Sequence, residues 1–334
     1  MINNGLMIIN HNVPCSCACR YCFFRSCKTS YGVPYDVGEK IALKFQKWRE
    51  DKQLSDFSLC YAISHCADYP ELLRNIELNK RLNFVGHYCI QINGIGLRDT
   101  NALNDYLEKV KQAGVTTIDT TFYGLEEYHD RFAARKGDFN FLINIVQRAI
   151  SLGLMIQPTF VALEENKKQL PELMELLTSF GCERIHGFLH DYRGNGEKME
   201  DVRLKKNSYD ALPEVAKSRI SVRNHKTEAE WIQNNFFTAP TSRNLVLALR
   251  PDNIDMINSM TCGEMIDYLV DLDEKYYNAI PDITVLSKLY GDISNTRLYR
   301  QRDLQWKWSK AYIADHQLSL HDVTDERNCG SMRY

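Results

Sequence analysis

The chain has 334 residues, 44% hydrophobic, 25% charged and 11% aromatic, a composition that excludes disorder, collagen-like repeats and coiled coil. Lysine plus arginine number 41 against 43 for aspartate plus glutamate, a formal charge of −2, so no basic excess points to nucleic acid or an anionic membrane surface. The length allows either two domains or one α/β barrel. In chain order, Leu6 to Asn10 reads as a strand, and 36–52 as an amphipathic helix carrying Ile41, Leu43, Phe45 and Trp48. Strands over 57–63 and 84–92 precede helices over 70–82 and 100–114. A strand over 115–122 leads through the loop 123–138 to a helix over 139–153, then a strand over 154–163, a helix over 167–181 and a last strand over 183–189. Helix ends are expected at Gly114, Gly153 and Gly181.

Strand-then-helix repetition of this kind predicts an α/β fold, here a partial (β/α)6 barrel of the TIM type. Beyond Asp191 the rhythm stops, and 196–334 reads as a mainly helical C-terminal extension packing on a core of 1–195, with one strand candidate at 244–250. The first residues lack a cationic start and an apolar block, and no stretch supplies the ~18 consecutive apolar residues of a membrane span. A cytoplasmic location follows as the expectation, with no membrane and no nucleic acid as partner.

Cysteine is in excess: 11 in all, of which Cys15, Cys17, Cys19, Cys22 and Cys27 fall in one short stretch. In a reducing compartment such clustering indicates metal binding or chemistry rather than disulfides. Cys15, Cys19 and Cys22 have the spacing CxxxCxxC directly after the first strand. Three thiolates on one loop hold three irons of a [4Fe–4S] cluster and leave the fourth open, whereas a closed electron-transfer cluster takes four cysteines. A zinc knuckle drawn from the five clustered cysteines is the plainer alternative, but paired CxxC elements and nearby histidines are lacking.

With Tyr21 just before its last cysteine, this motif resembles the signature of the radical S-adenosylmethionine superfamily. The resemblance spans roughly 5–190 and implies a [4Fe–4S] cluster on Cys15, Cys19 and Cys22. It further implies S-adenosylmethionine as cofactor and a 5′-deoxyadenosyl radical that abstracts hydrogen from a peptide or small-molecule substrate. A one-electron reductant such as flavodoxin or ferredoxin is the implied partner. After strand two, SHCADYPEL replaces the family's glycine-rich GGEP loop, leaving Ser64 and Asp68 as candidates facing the cofactor, although Asp68 also suits a helix N-cap. Gln91 and Asn93 share parity and point to one face, near a turn similar to the family's TNG. Thr121 with Tyr123, and Gln157 with Thr159, do the same on strands four and five, with Asn166 continuing the pattern. Polar side chains repeated at strand ends suit a ligand-lined barrel mouth better than an inert core.

Arg193, beside Gly194 and Gly196, is a candidate for a carboxylate through a bidentate pair, or simply part of a surface turn. Relatives with maturation functions often append a cysteine-rich domain. Here only Cys262 and Cys329 follow residue 182, too few for a second cluster but available as hydrogen-atom donors. The competing readings are a non-catalytic iron–sulfur or zinc-binding sensor or scaffold, and an electron carrier.

Overall fold

A computed structural model describes residues 2–10, 15–22, 32–63, 67–320 and 332–333. Ser64, Cys27, Cys66 and Cys329 lie outside the described residues. The first wall begins with β1 (Ile2–Asn10), longer than its apolar run suggests, then α1 (Tyr35–Asp51), β2 (Ser58–Ile63) and α2 (Leu72–Arg81). The second contains β3 (Cys89–Gln91), α3 (Thr100–Gln112), β4 (Thr117–Phe122), α4 (Glu126–Ala133), α5 (Asp138–Ser151), β5 (Met155–Val161), α6 (Leu170–Ser179) and β6 (His186–Phe188). The expected strand at 84–92 is cut to Cys89–Gln91 because Val85–Tyr88 curl into a 3₁₀ turn, with His87 Nδ1 2.6 Å from the Phe84 carbonyl. The segment expected as loop at 123–138 contains α4. Gly114, Gly153 and Gly181 all have positive φ, as helix-ending glycines do.

Further on come α7 (Lys206–Asp210), α8 (Glu214–Lys217), β7 (Lys226–Thr227), α9 (Glu228–Gln233) and β8 (Ser242–Leu249). The chain closes with α10 (Ile254–Ser259), α11 (Cys262–Ala279), α12 (Ile283–Tyr290), β9 (Leu298–Tyr299), α13 (Gln301–Asp315) and β10 (Met332–Arg333). One sheet runs β10-β8-β1-β2, a second β3-β4-β5-β6, and β7 pairs with β9. Within the two walls every pairing is parallel except β10 with β8. The strand candidate of the C-terminal half is thus β8, a seventh parallel strand on the outer side of β1, with Leu247 opposite Ile8. Between β2 and β3 the barrel opens to a cleft of about 170 Å³, lined by Cys60, Ala62, Cys89 and Gln91 among others.

Alternate strand residues pack outward on helices. Leu6, Ile8, Leu59, Tyr61, Leu245 and Leu247 form one core with α1 and α11, and Ile90, Ile118, Ile156 and Phe160 another with α3, α5 and α6. The other residues of each strand face inward. The C-terminal helices are held by buried charge. Glu228, fully buried, accepts from Trp308 Nε1 (3.0 Å) and Asn295 Nδ2 (2.8 Å) and pairs with Lys307 (3.0 Å). Asp303 of α13 accepts the Tyr192 N–H at 2.9 Å, anchoring the extension to the chain after β6. No helix among the described residues is long and apolar enough to cross a membrane.

Candidate active site

The cysteine loop is tied to the ends of three other strand connections by backbone hydrogen bonds. Ser16 N–H donates to the Gly94 carbonyl after β3 (2.9 Å), and Ala18 and Arg20 N–H donate to the Ala133 and Phe132 carbonyls ending α4 (2.8 and 3.0 Å). Asn195 N–H, after β6, reaches the Cys22 carbonyl at 3.3 Å. An ion pair of Arg20 with Glu165 (2.5 Å), itself bonded by the Tyr128 hydroxyl (2.8 Å), adds a side-chain tie to the connection after β5. Each partner lies C-terminal to its strand, so the loop sits at the end of the barrel where active sites of such folds are built.

The aromatic floor of the loop is Tyr21, Tyr123 and Phe132, with ring centroids 4.5–5.9 Å apart. The buried Tyr123 hydroxyl donates to Cys19 Sγ at 3.3 Å. Contact with Cys17 and this hydroxyl hold the Cys19 thiol below its ordinary pKa despite burial, while contacts with Cys15 and Cys19 push Cys17 far up and keep it protonated. Burial pushes Tyr21 up as well.

Beneath the loop lies a buried relay that the sequence reading does not contain. Tyr123 N–H donates to His129 Nδ1 (3.1 Å), which fixes the proton on Nε2, 3.1 Å from Asp138 Oδ2. Asp138 also accepts from Arg135 Nε (3.1 Å) and lies 3.5 Å from Cys17 Sγ, while Arg135 reaches the Ile95 carbonyl. His129 and Asp138 are nine apart across a helix and a loop, so no periodicity announces their contact. Asn166 bridges the ends of β4 and β5. Its amide donates to the Tyr123 and Val161 carbonyls (2.7 Å each) and accepts from Leu163 N–H (2.9 Å).

Inside the barrel, Gln91 Nε2 donates to Thr121 Oγ1 (3.2 Å), and the Thr159 hydroxyl to the Thr120 carbonyl (3.0 Å). The Thr159 proton is thereby spent, so at 2.9 Å the Thr121 hydroxyl donates to Thr159 Oγ1. Three of the singled-out residues thus form one directed chain over β3, β4 and β5. Asn93 bonds the Thr121 backbone with both ends of its amide (2.9 and 2.6 Å), extending the β3–β4 ladder and fixing the height of Thr121. Gln157 lies inward on β5, its Nε2 3.7 Å from Met155 Sδ.

Other singled-out residues are drawn elsewhere. Asp68 does not cap α2, whose N-cap is Glu71; its carboxylate accepts Gly96 N–H (2.7 Å) and pairs with Arg98, joining the connections after β2 and β3. Arg193 is buried with its guanidinium 4.9 Å from the Trp306 ring centroid, which replaces the surface turn by a packed contact with α13. Cys262 is buried at the start of α11 in the outer core against α1, on the opposite face of the sheet from the barrel interior. That position corrects its expected role as hydrogen-atom donor, since the sheet separates its sulfur from the interior. Asp119 also lies inward on β4, at the same parity as Thr121.

Among the described residues, no three His, Cys, Asp or Glu side chains are gathered to hold a metal ion. What the loop offers is a donor set: Cys15, Cys19 and Cys22 are all half-buried on one pinned segment, and sulfur is the donor that iron–sulfur clusters take. Cys17, its thiol turned to Asp138, is otherwise engaged. By its chemistry this set fits a cluster with one open iron.

The sequence profile of the Radical SAM superfamily matches residues 9–177. Over 100 residues the chain is 26% identical to the Fe-coproporphyrin III synthase of Methanosarcina barkeri, a stretch covering 29% of this chain and 25% of that protein. The chain therefore spans about a quarter of that curated relative's length. Among solved structures, anSMEcpe with bound AdoMet is similar over 93% of both chains, with 13% identity and a TM-score of 0.52. SuiB of Streptococcus suis bound to the precursor peptide SuiA is similar over 57% of this chain and 40% of that chain, with 13% identity and a TM-score of 0.43. For the coproporphyrinogen III oxidase HemN of Escherichia coli the figures are 93%, 91%, 12% and 0.41. At 13% identity the likeness to anSMEcpe is one of fold.

Proposed function

Because this chain belongs to the radical SAM superfamily of enzymes, we propose that Cys15, Cys19 and Cys22 hold a [4Fe–4S] cluster with an open iron for S-adenosylmethionine. When bound and reduced by a one-electron donor, that pair supplies a 5′-deoxyadenosyl radical, which takes hydrogen from a peptide or small-molecule substrate. The observation that carries the reading is the loop itself: three half-buried thiols pinned at the C-terminal ends of the strands, above a polar interior.

The protein's own share is positioning and exclusion of water. Tyr21, Tyr123 and Phe132 wall the loop with rings, and the Tyr123 hydroxyl donates to Cys19 Sγ, a contact that stabilises negative charge on that sulfur. The chain Gln91–Thr121–Thr159, held in place by Asn93, presents fixed polar groups below the loop for the ribose and the substrate. Gln157 lies in the same inner face. Asp68 and Arg193 act at one remove, bracing the connections after β2, β3 and β6. A core of 1–195 and an extension of 196–334 remain our division of the chain, and a cytoplasmic setting suits its thiols.

The test is anaerobic reconstitution. A brown protein with about four irons per chain, whose low-temperature spin-resonance signal changes on adding S-adenosylmethionine, is the expected result. Loss of that signal and of cofactor cleavage in Cys15→Ala, Cys19→Ala and Cys22→Ala is expected with it. A colourless protein carrying zinc, or cleavage that survives these substitutions, overturns the reading in favour of a sensor or scaffold.

A further inference from the structure

The inner face of the second wall carries a row of side chains that joins Gln91 to two residues with no part in the Gln91–Thr121–Thr159 chain. Gln91, Asp119 and Gln157 stand directly opposite one another on β3, β4 and β5. Their flanking neighbours Ile90, Ile118 and Ile156 belong to the outer core, so the three polar side chains point together into the barrel. Parallel strands lie about 4.8 Å apart, close enough for one small group to touch all three.

One N–H of each amide in this row is taken, by Thr121 Oγ1 for Gln91 and by Met155 Sδ (3.7 Å) for Gln157, and neither amide bonds Asp119 Oδ1. Asp119 Oδ1, though shielded from solvent, has no hydrogen-bond partner among the described residues. On the inner faces of β3, β4, β5 and β6, Asp119 is the one carboxylate; the titratable groups facing it are the Cys89 thiol and the His186 imidazole, and these strands place neither lysine nor arginine there. The opposite wall offers Met7, Ile9, Cys60, Ala62, Val246 and Ala248, with the uncharged polar Ser58 and Asn244 nearer the N-terminal ends of its strands.

The row is therefore rich in acceptors, negatively charged, and faced by an uncharged, mostly apolar wall. We propose that Gln91, Asp119 and Gln157 form the substrate-recognition site of the barrel, and that the group recognised is a donor-only cation, a primary ammonium or a guanidinium, on an otherwise apolar stem. Such a group supplies the missing donor to Asp119 and can share its remaining N–H bonds with the two amide oxygens. The inference rests on the reading of the barrel interior as the substrate chamber. Burial pushes the Asp119 carboxyl above its ordinary pKa and outweighs the opposing pull of the Cys89 thiol and of His186.

Binding is the test, made with the full chain after reconstitution and S-adenosylmethionine addition, and again without either. The probes are acetyl-lysinamide and acetyl-argininamide, with acetyl-norleucinamide as the uncharged counterpart, titrated by calorimetry or saturation-transfer NMR. The cationic probes should bind about tenfold more tightly than norleucinamide, and Asp119→Asn should erase that preference. Gln157→Glu, a second variant that leaves Asp119 in place, should raise the preference at least about threefold. No preference for cations in the wild type, or a preference unchanged in Asp119→Asn or in Gln157→Glu, overturns the proposal. Iron content and S-adenosylmethionine binding are measured on the same samples. A failed cluster with a surviving cation preference refutes the radical chemistry and not the recognition site, and the reverse pattern does the opposite.

Discussion

Asp138→Asn removes one negative charge from beneath the cysteine loop with almost no change in shape. Asp138 is 1% exposed and its carboxylate accepts from His129 Nε2 and Arg135 Nε, both at 3.1 Å. The neutral amide leaves the Arg135 guanidinium, 9% exposed, without that counter-charge. Stranding one member of a buried ion pair costs about 3–5 kcal/mol. The lower end applies here, about 3 kcal/mol, because Arg135 keeps its bond to the Ile95 carbonyl. Arg135→Met in the same chain removes the stranded charge, so the double variant should be more stable than the sum of the single losses by at least about 1 kcal/mol. The pH dependence has a definite sign. Burial pushes the Asp138 carboxyl up, but the bonds from His129 and Arg135 outweigh it and hold it below its ordinary pKa. A carboxylate depressed in the folded state contributes stability above its unfolded value, about 3.9, and loses it as pH falls through the folded value. The gap between wild type and variant, read from urea unfolding, should be full near about pH 7 and close on acidification below about pH 4. A gap under about 1 kcal/mol at neutral pH, or one that widens on acidification, would refute the reasoning.

Asn166→Ala should cost about 2–4 kcal/mol, because it leaves the Tyr123 and Val161 carbonyls and the Leu163 N–H without the partner they have now. A urea midpoint unchanged from wild type would show that water replaces the amide. Tyr123→Phe keeps the ring contacts with Tyr21, Phe132 and His129 and should alter stability by no more than about 1 kcal/mol. It removes the hydroxyl that donates to Cys19 Sγ, so the midpoint potential of the reconstituted cluster should become more negative in a spin-resonance redox titration. An unmoved potential would mean that this hydroxyl does not face a cluster ligand.

Much of the fold was legible because it is written in local periodicity. Runs such as 115–122 and 154–163 alternate or stay apolar, helices such as 139–153 repeat at helical spacing, and their glycine ends stand in the expected backbone region. The cysteine spacing was legible for the same reason, since all three thiols lie within one loop. Hidden from the sequence was everything that depends on two distant segments meeting. His129 finds Asp138 only because α4 and α5 pack side by side, and Arg193 is buried only because α13 lays Trp306 over it. Strand parity, which singled out Gln91, Thr121 and Thr159, also marks Asp119, two positions before Thr121. It stands within β4 rather than at its C-terminal end, where parity alone does not separate a site residue from a structural one.

The place of β8 beside β1 has a consequence for how the molecule comes into being. β1 carries the cysteine loop at its end, yet one of its edges is covered only by a strand that begins at Ser242. During synthesis, the segment that gives the family its signature is made before β8 and must wait for it before that edge is paired. Contacts of such long sequence separation form slowly, and a bare apolar edge in the interval invites association with other nascent chains. Folding of the cysteine loop's own strand is thereby coupled to late events in synthesis, so that chaperone supply and translation rate bear on how much folded protein a cell obtains.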